Sequence, residues 1–118
     1  MYDRAELAKC IHELVMKDPR KSLKALCEVL MIDRHTAQRA LQQSLGMSFR
    51  ELQLKAVLYR AVQSLTELPS LSLKEVAFRV GFASEATFYH FFKRSLGMTP
   101  SEYRRRNGSV PADLKREP

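Results

Sequence analysis

The chain of 118 residues has no tryptophan, only four glycines and five prolines, and no long apolar run. So little glycine and proline, with 45% hydrophobic residues, excludes wholesale disorder and favours a packed core. β-Branched residues are few beside Leu, Ala, Glu, Lys and Arg, which favours helix. No segment approaches the roughly 18 apolar residues of a membrane span, and the N-terminus has no signal-peptide core. We therefore expect a soluble, cytoplasmic, helical protein without a membrane partner.

Cysteine and histidine are also scarce. Cys10 and Cys27 have no CxxC spacing and fit apolar helical stripes, so we expect small buried side chains, a redox pair being the alternative. The three histidines, His12, His35 and His90, have no metal-ligand spacing. The sequence has no carboxylate cluster, no Ser-His-Asp or Cys-His set and no glycine-rich phosphate loop. It predicts neither an enzyme nor a bound metal or cofactor.

Acidic residues are outnumbered by basic ones. The chain has 20 Lys and Arg against 13 Asp and Glu, a formal net charge of +7 at pH 7. An excess of this size attracts polyanions, which are most often nucleic acids and less often anionic membrane surfaces. The charge balance therefore makes nucleic acid the first partner to consider.

Helix ends are marked clearly along the whole chain. Capping residues precede the periodic apolar runs at Asp3, Ser22, Asp33, Ser72 and Ser84. Capping boxes are predicted at Ser48–Glu51, Ser72–Glu75 and Thr99–Glu102. Gly46 and Gly97 each follow a leucine and suit the left-handed position at a helix end. The pattern predicts helices over about 4–17, 23–30, 34–45, 49–67, 73–80, 85–96 and 100–106.

The longest predicted helix, 49–67, has two sets of apolar residues. One set is Phe49, Leu52, Ala56, Tyr59 and Val62; the other is Leu54, Leu58, Ala61 and Leu65. A surface helix needs only one apolar face to bury. We therefore expect this helix to pack against two different partners.

The tetrapeptide SLGM occurs twice, at residues 44–47 and 95–98, because a longer unit is repeated. SLKALCEVLMIDRHTAQRALQQSLGM aligns with SLKEVAFRVGFASEATFYHFFKRSLGM, with one extra residue in the second turn. Each copy reads as a short helix, a tight turn and a longer helix, the helix-turn-helix layout whose second helix enters the DNA major groove. The sequence predicts an all-α fold: helix-turn-helix subdomains at 1–47 and 68–106, a linker helix at 48–67 and a flexible tail at 107–118.

The second copy and its continuation, SLKEVAFRVGFASEATFYHFFKRSLGMTPSEYRR, resemble the DNA-binding domain of the AraC/XylS family of bacterial transcription regulators. The first copy matches more loosely, through TAQRALQQSLGMSF, and the resemblance covers about residues 5–106. It implies about seven helices, with recognition helices at about 33–45 and 84–96 in adjacent major-groove segments of double-stranded DNA. It also implies a nucleoid-associated protein of the bacterial cytoplasm that contacts RNA polymerase, usually to activate transcription.

The resemblance also assigns residues to contacts with DNA. Base-reading positions are His35, Thr36, Gln38 and Arg39 in the first recognition helix, and Ala86, Thr87 and His90 in the second. Phosphate contacts fall to Arg34, Gln42, Ser84, Tyr89, Lys93 and Arg94. Gln suits the adenine edge, Arg the guanine edge and Ala the thymine methyl group. The alternative for these residues is an ordinary solvated face.

Three departures from the family pattern lie in the first copy. Met31 replaces a turn glycine, Ala37 a larger core residue, and Gln42–Gln43 a basic pair. We therefore predict that the second copy, with Lys93, Arg94 and Arg104–Arg106, anchors the phosphates while the first discriminates among sequences. The run Arg104–Arg106 has an alternative as a solvated helix end.

Two further alternatives stay open. The chain either binds DNA as a monomer, if it is complete, or belongs to a larger regulator with a dimerising or sensing domain. The same fold could also serve as an interaction module that acts mainly through protein contacts. Binding to duplex DNA in moderate salt separates that module from a regulator that reads DNA.

Overall fold

The computed structural model describes residues 3–106, which form seven helices and no strand. These are α1 (Arg4–Lys17), α2 (Leu23–Leu30), α3 (Arg34–Leu45), α4 (Phe49–Glu67), α5 (Leu73–Arg79), α6 (Glu85–Leu96) and α7 (Pro100–Arg106). The predicted all-α class is confirmed, and only α5 differs, ending one residue early at the Val80 C-cap. Within residues 3–106 no helix is both long and apolar enough to cross a bilayer. The predicted tail at 107–118 lies outside the described residues.

Contacts along the chain divide it inside α4, between Ala56 and Val57, into unit 1 and unit 2. The core of unit 1 takes residues from α1, α2, α3 and the first half of α4. The core of unit 2 takes residues from the second half of α4 and from α5, α6 and α7. The two predicted apolar sets of α4 were therefore partly wrong: Val62 belongs to the second core, and Leu54 is 38% exposed. The position of an apolar residue along α4, and not the face on which it lies, decides which core it joins, because each half of the helix has different neighbours.

The second helix of each helix-turn-helix pair buries one face in the core of its unit. In unit 1 the buried face of α3 is made by Ala37, Ala40 and Leu41, and α1 packs against it. In unit 2, Phe88 and Phe92 occupy the places of Ala37 and Leu41, and Phe92 meets Tyr103 edge-on at 5.7 Å between ring centroids. Both helices are thereby fixed with the opposite face turned outward.

All three capping boxes form as predicted. In the second, the Glu75 N–H donates to Ser72 Oγ at 3.1 Å and the Ser72 N–H donates to Glu75 Oε1 at 2.9 Å. Ser48 with Glu51 and Thr99 with Glu102 make the same pair of bonds. The backbone N–H that each carboxylate accepts lowers the pKa of its glutamate below the ordinary value.

These lowered pKa values predict an acid-sensitive fold. A carboxyl group whose pKa falls on folding stabilises the folded chain above its ordinary pKa, about 4.3 for glutamate, and that stabilisation is lost as pH falls through the lowered value. Replacing Glu51, Glu75 and Glu102 by glutamine, which still accepts a hydrogen bond, should therefore reduce the fall in melting temperature between about pH 6 and pH 3.

The control for this experiment removes equal charge elsewhere. Glu13, Glu28 and Glu67 are exposed and belong to no capping box. Their triple glutamine variant should keep the wild-type dependence of melting temperature on pH. Equal changes in both variants would mean that net charge, and not the capping bonds, controls the acid response.

Both short helices end in the same backbone arrangement, with one residue in a left-handed conformation. In unit 1 this residue is Met31 (φ 58°, ψ 44°), and the Ile32 N–H reaches back to the Cys27 carbonyl at 3.1 Å. In unit 2 it is Gly81 (φ 104°), and the Phe82 N–H makes the corresponding bond at 2.9 Å. Glycine adopts such angles without strain, whereas a residue with a Cβ does not. Met31 is therefore strained.

Met31→Gly should stabilise the protein. The side chain is 90% exposed, so its removal sacrifices almost no packing. Relief of left-handed strain contributes about 1–2 kcal/mol, and the greater freedom of glycine in the unfolded chain offsets part of it, leaving about 0.5–1 kcal/mol. Chemical denaturation measures the gain. The reverse change, Gly81→Met, should destabilise, and a destabilising Met31→Gly would contradict this account.

In each unit, a side chain of the helix that follows α3 or α6 donates hydrogen bonds to the segment just before the short helix. Gln53 Nε2 donates to the carbonyls of Pro19 and Lys21 at 2.9 and 3.1 Å. At the equivalent place after the second SLGM, Arg104 Nη1 donates to the Leu71 carbonyl at 2.7 Å. Lys21 and Leu71 each precede the serine that caps the short helix. The structural repeat therefore extends beyond the sequence repeat, with the two halves of α4 standing in for α7 and α1.

Candidate nucleic-acid interface

The outward face of α3 is formed by the residues that the sequence predicted. Arg34, His35, Thr36, Gln38, Arg39 and Gln42 are all exposed. The helix begins at Asp33, whose carboxylate accepts from the Thr36 N–H at 2.7 Å. That bond is the main cause of the lowered pKa of the Asp33 carboxyl, so the cap stays ionised near neutral pH.

Two side-chain contacts order the surface of α3. Arg39 Nη2 lies 2.7 Å from His35 Nε2, one helical turn earlier. Near the other end, Arg4 of α1 donates through Nη1 to Gln43 Oε1. The sequence pattern placed His35 and Arg39 on one stripe but gave no sign of the hydrogen bond between them, because two exposed polar residues at this spacing need not pair.

The outward face of α6 contains the second predicted set. Ala86, Thr87, Tyr89, His90, Lys93 and Arg94 are exposed, and Ser84 is half-buried at the N-cap. The rings of Tyr89 and His90 stand edge to face, with centroids 5.5 Å apart. Phe91, expected in the core, is only partly buried, and its ring lies 5.2 Å from that of Phe82.

The hydroxyls at the start of α6 are engaged with each other. Ser84 Oγ accepts from the Thr87 N–H at 3.2 Å and lies 2.9 Å from Thr87 Oγ1. A hydroxyl can donate and accept at once, so either group retains capacity for a phosphate or a base. The two hydroxyls are therefore held in place before any ligand arrives.

Basic side chains lie in the last turn of α6 and in α7. The pKa of Glu102 is lowered first by the Thr99 N–H, and the nearby cations Arg105 and Lys93 lower it further. Arg94 follows Lys93 on α6, and Arg105 is exposed. We call Lys93, Arg94 and Arg105 the basic patch. At the places of Lys93 and Arg94, unit 1 has the neutral pair Gln42–Gln43.

Arg104 is not part of this patch, which corrects the place of this one arginine in the run Arg104–Arg106, while Arg105 and Arg106 are exposed. Its guanidinium donates to the carbonyls of Leu65, Leu68 and Leu71, at 3.2, 3.4 and 2.7 Å. Three of its N–H donors are therefore used within the fold, so Arg104 is not a solvated helix end.

The cysteines pack as small apolar side chains. Cys27 is buried and Cys10 half-buried, and both are free thiols. Burial raises the pKa of the Cys27 thiol, which disfavours the reactive thiolate. Within residues 3–106 no group of three or more His, Cys, Asp or Glu side chains is placed to hold a metal ion.

A family model described as a helix-turn-helix domain matches residues 26–106, well over half of the chain. The chain belongs to the AraC-type helix-turn-helix family. This family consists of DNA-binding transcription regulators and not of enzymes. The resemblance seen in the sequence is thereby confirmed.

A relative of known name agrees with this membership. The urease operon transcriptional activator of Escherichia coli is 34% identical over 98 residues, which are 81% of this chain and 32% of that protein. This AraC-type chain thus spans about a third of that relative.

Solved structures agree with the fold. The C-terminal domain of AraT, a response regulator from Geobacillus stearothermophilus, has a TM-score of 0.79 at 24% identity, covering 94% of this chain and 93% of that one. The DNA-binding domain of the global transcriptional factor AdpA, solved in complex with a target DNA, has a TM-score of 0.72 at 22% identity, covering 83% and 89%. At these identities the likeness concerns the AraC-type fold alone.

Proposed function

We propose that the chain is a sequence-specific, double-stranded DNA-binding transcription regulator that places α3 and α6 in adjacent segments of the major groove. The observation that supports this most is that both helices are amphipathic. Each buries the centre of its apolar face and turns a mostly polar face outward. A helix held in this way can present side chains to base edges without losing its packing.

Each recognition helix offers a different chemistry. In α3, Gln38 suits adenine and Arg39 suits guanine, with His35 and Thr36 beside them. In α6, Ala86 contacts a thymine methyl group, while Thr87 and His90 form hydrogen bonds with base edges. The phosphate contacts are Arg34, Gln42, Ser84, Tyr89, Lys93 and Arg94, to which the basic patch adds Arg105.

The two helices contribute unequally. The basic patch makes unit 2 the electrostatic anchor, while α3 has the side chains best suited to paired hydrogen bonds with bases. If α3 and α6 enter the major groove one turn of DNA apart, the binding site is about 20 base pairs long, since a turn of DNA is about 34 Å long.

Regulation follows from contact with RNA polymerase in the bacterial cytoplasm, with activation as the outcome. The name of the E. coli relative, an operon activator, supports this direction. Alone, the described domain binds one asymmetric site as a monomer; within a longer regulator, a sensing or dimerising domain controls it.

Selection from random duplex DNA at near-physiological salt tests the proposal, because nonspecific phosphate binding dominates at low salt. The wild-type chain should enrich a two-part motif. Gln38→Ala with Arg39→Ala should relax one part, and His90→Ala the other. A one-part motif would limit reading to one helix. No enrichment would reject sequence reading and favour the interaction module.

A further inference from the structure

The contact between His35 and Arg39 fixes the state of the imidazole ring. A guanidinium has only N–H donors, so the nitrogen 2.7 Å from Arg39 Nη2 must accept. His35 Nε2 therefore has no proton, and the neutral ring has its proton on Nδ1. In this state Nε2 is occupied and cannot read a base.

The same contact leaves Arg39 able to read a base. Among the described residues, one of the five guanidinium N–H donors is used, which leaves a pair for O6 and N7 of guanine. An exposed arginine otherwise samples many rotamers, and fixing one of them opposes binding. Among residues 3–106, His35 is the hydrogen-bond acceptor that Arg39 contacts, so His35 orients the guanidinium.

The corresponding positions in α6 have no such pair. Ala86 stands in the place of His35 and His90 in the place of Arg39, and an alanine side chain cannot accept a hydrogen bond. The ring of His90 meets Tyr89 instead. The arrangement is therefore a property of α3 and not of the shared fold.

We propose that His35 is a positioning residue, which accepts a hydrogen bond from Arg39 and holds its guanidinium ready for a guanine. The proposal rests on the proposed function of α3 and alters one role in it: His35 acts through Arg39 and not on a base. The specificity of α3 at that base pair then depends on two side chains, only one of which touches DNA.

The first test uses free protein and needs no DNA. Nitrogen chemical shifts of the histidine rings at a pH where they are neutral should show His35 protonated at Nδ1. Arg39→Ala should shift that tautomer balance, while His90, which contacts no arginine within residues 3–106, should not change. A wild-type His35 protonated at Nε2 would overturn the proposal, whether or not the chain binds DNA.

The second test measures base preference. The guanine read by Arg39 is located as the position where Arg39→Ala loses its preference. His35→Ala should weaken preference there by about 3- to 10-fold, the effect of leaving one long side chain unordered, and nowhere else. Adding His35→Ala to Arg39→Ala should have no further effect, because the partner is already gone.

Two amide variants provide the matched control. His35→Gln places an amide oxygen near the position of Nε2 and should restore the preference, whereas the shorter amide of His35→Asn should not. Relaxed preference at a different base in His35→Ala, or additive effects with Arg39→Ala, would show that His35 reads a base itself. A chain that enriches no sequence yet shows the Nδ1 tautomer would reject the reading function and the positioning role while leaving the contact in place.

Discussion

Replacing Arg104 with alanine should lower the free energy of unfolding by about 2–3 kcal/mol and the melting temperature by about 10 °C. The guanidinium donates to three carbonyls at and beyond the end of α4, those of Leu65, Leu68 and Leu71. Carbonyls at the end of a helix have no partner within it, and a cation there also meets the negative end of the helix dipole. Hydrogen bonds from a charged donor contribute more than neutral ones.

Circular dichroism can follow this loss, since the chain has no tryptophan for fluorescence. Arg105→Ala removes the same charge from an exposed neighbour and should change stability by no more than about 0.5 kcal/mol. Arg104→Gln should fall between wild type and Arg104→Ala, because an amide replaces some of the donors. Equal melting temperatures for Arg104→Ala and Arg105→Ala would contradict the structural role of the Arg104 hydrogen bonds.

Unit 1 offers a comparison for the same position. Gln53 makes two neutral hydrogen bonds, so Gln53→Ala should cost about 1 kcal/mol, less than Arg104→Ala. Salt dependence separates structural from DNA-binding arginines. Folded Arg104→Ala should keep the wild-type slope of log affinity against log salt, whereas Arg105→Ala should reduce it by about 0.9.

The second large effect concerns affinity for DNA. Lys93→Gln with Arg94→Gln should lower the magnitude of the salt slope by about 1.8 and weaken binding about 30-fold near 0.15 M salt. Each neutralised phosphate releases counterions, and that release favours binding less as salt rises. Binding assays over a salt series measure both quantities.

The repeat provides the matched control. Gln42→Ala with Gln43→Ala changes the equivalent positions of α3, where there is no charge to remove, and should leave the slope unchanged. Gln42→Lys with Gln43→Arg should increase the slope. Arg34→Gln removes the one charged phosphate contact proposed for unit 1 and should reduce the slope by about 0.9, half the reduction expected for Lys93→Gln with Arg94→Gln. Equal reductions would contradict unequal anchoring.

Local features of this fold could be predicted from the sequence because their partners are close in the chain. An N-cap side chain bonds to an amide three residues away, so the pattern Ser-x-x-Glu at Ser72 and Glu75 is sufficient to place a helix start. The outward stripe of α3 follows equally from helical periodicity, which is why its predicted DNA-contacting residues are exposed.

Features that join distant residues could not be predicted. Arg104 finds its carbonyls 33 to 39 positions earlier, and nothing in the run Arg104–Arg106 distinguishes the arginine that turns inward. The division of α4 has the same cause: Val62 fits either apolar set by spacing, and only the packing neighbours decide its core. Which side chains touch which bases stays a prediction.

The course of α4 through both units makes the burial of this helix depend on two separate cores. Residues up to Ala56 gain their burial from one core and residues from Val57 onward from the other. Because cooperative opening follows such packing, we expect each half of this continuous helix to open together with its own unit. A substitution that loosens α3 or α6 can therefore fray the half of α4 in the same unit, while the other half stays protected from hydrogen exchange. The DNA contacts of α3 and of α6 can then be weakened separately.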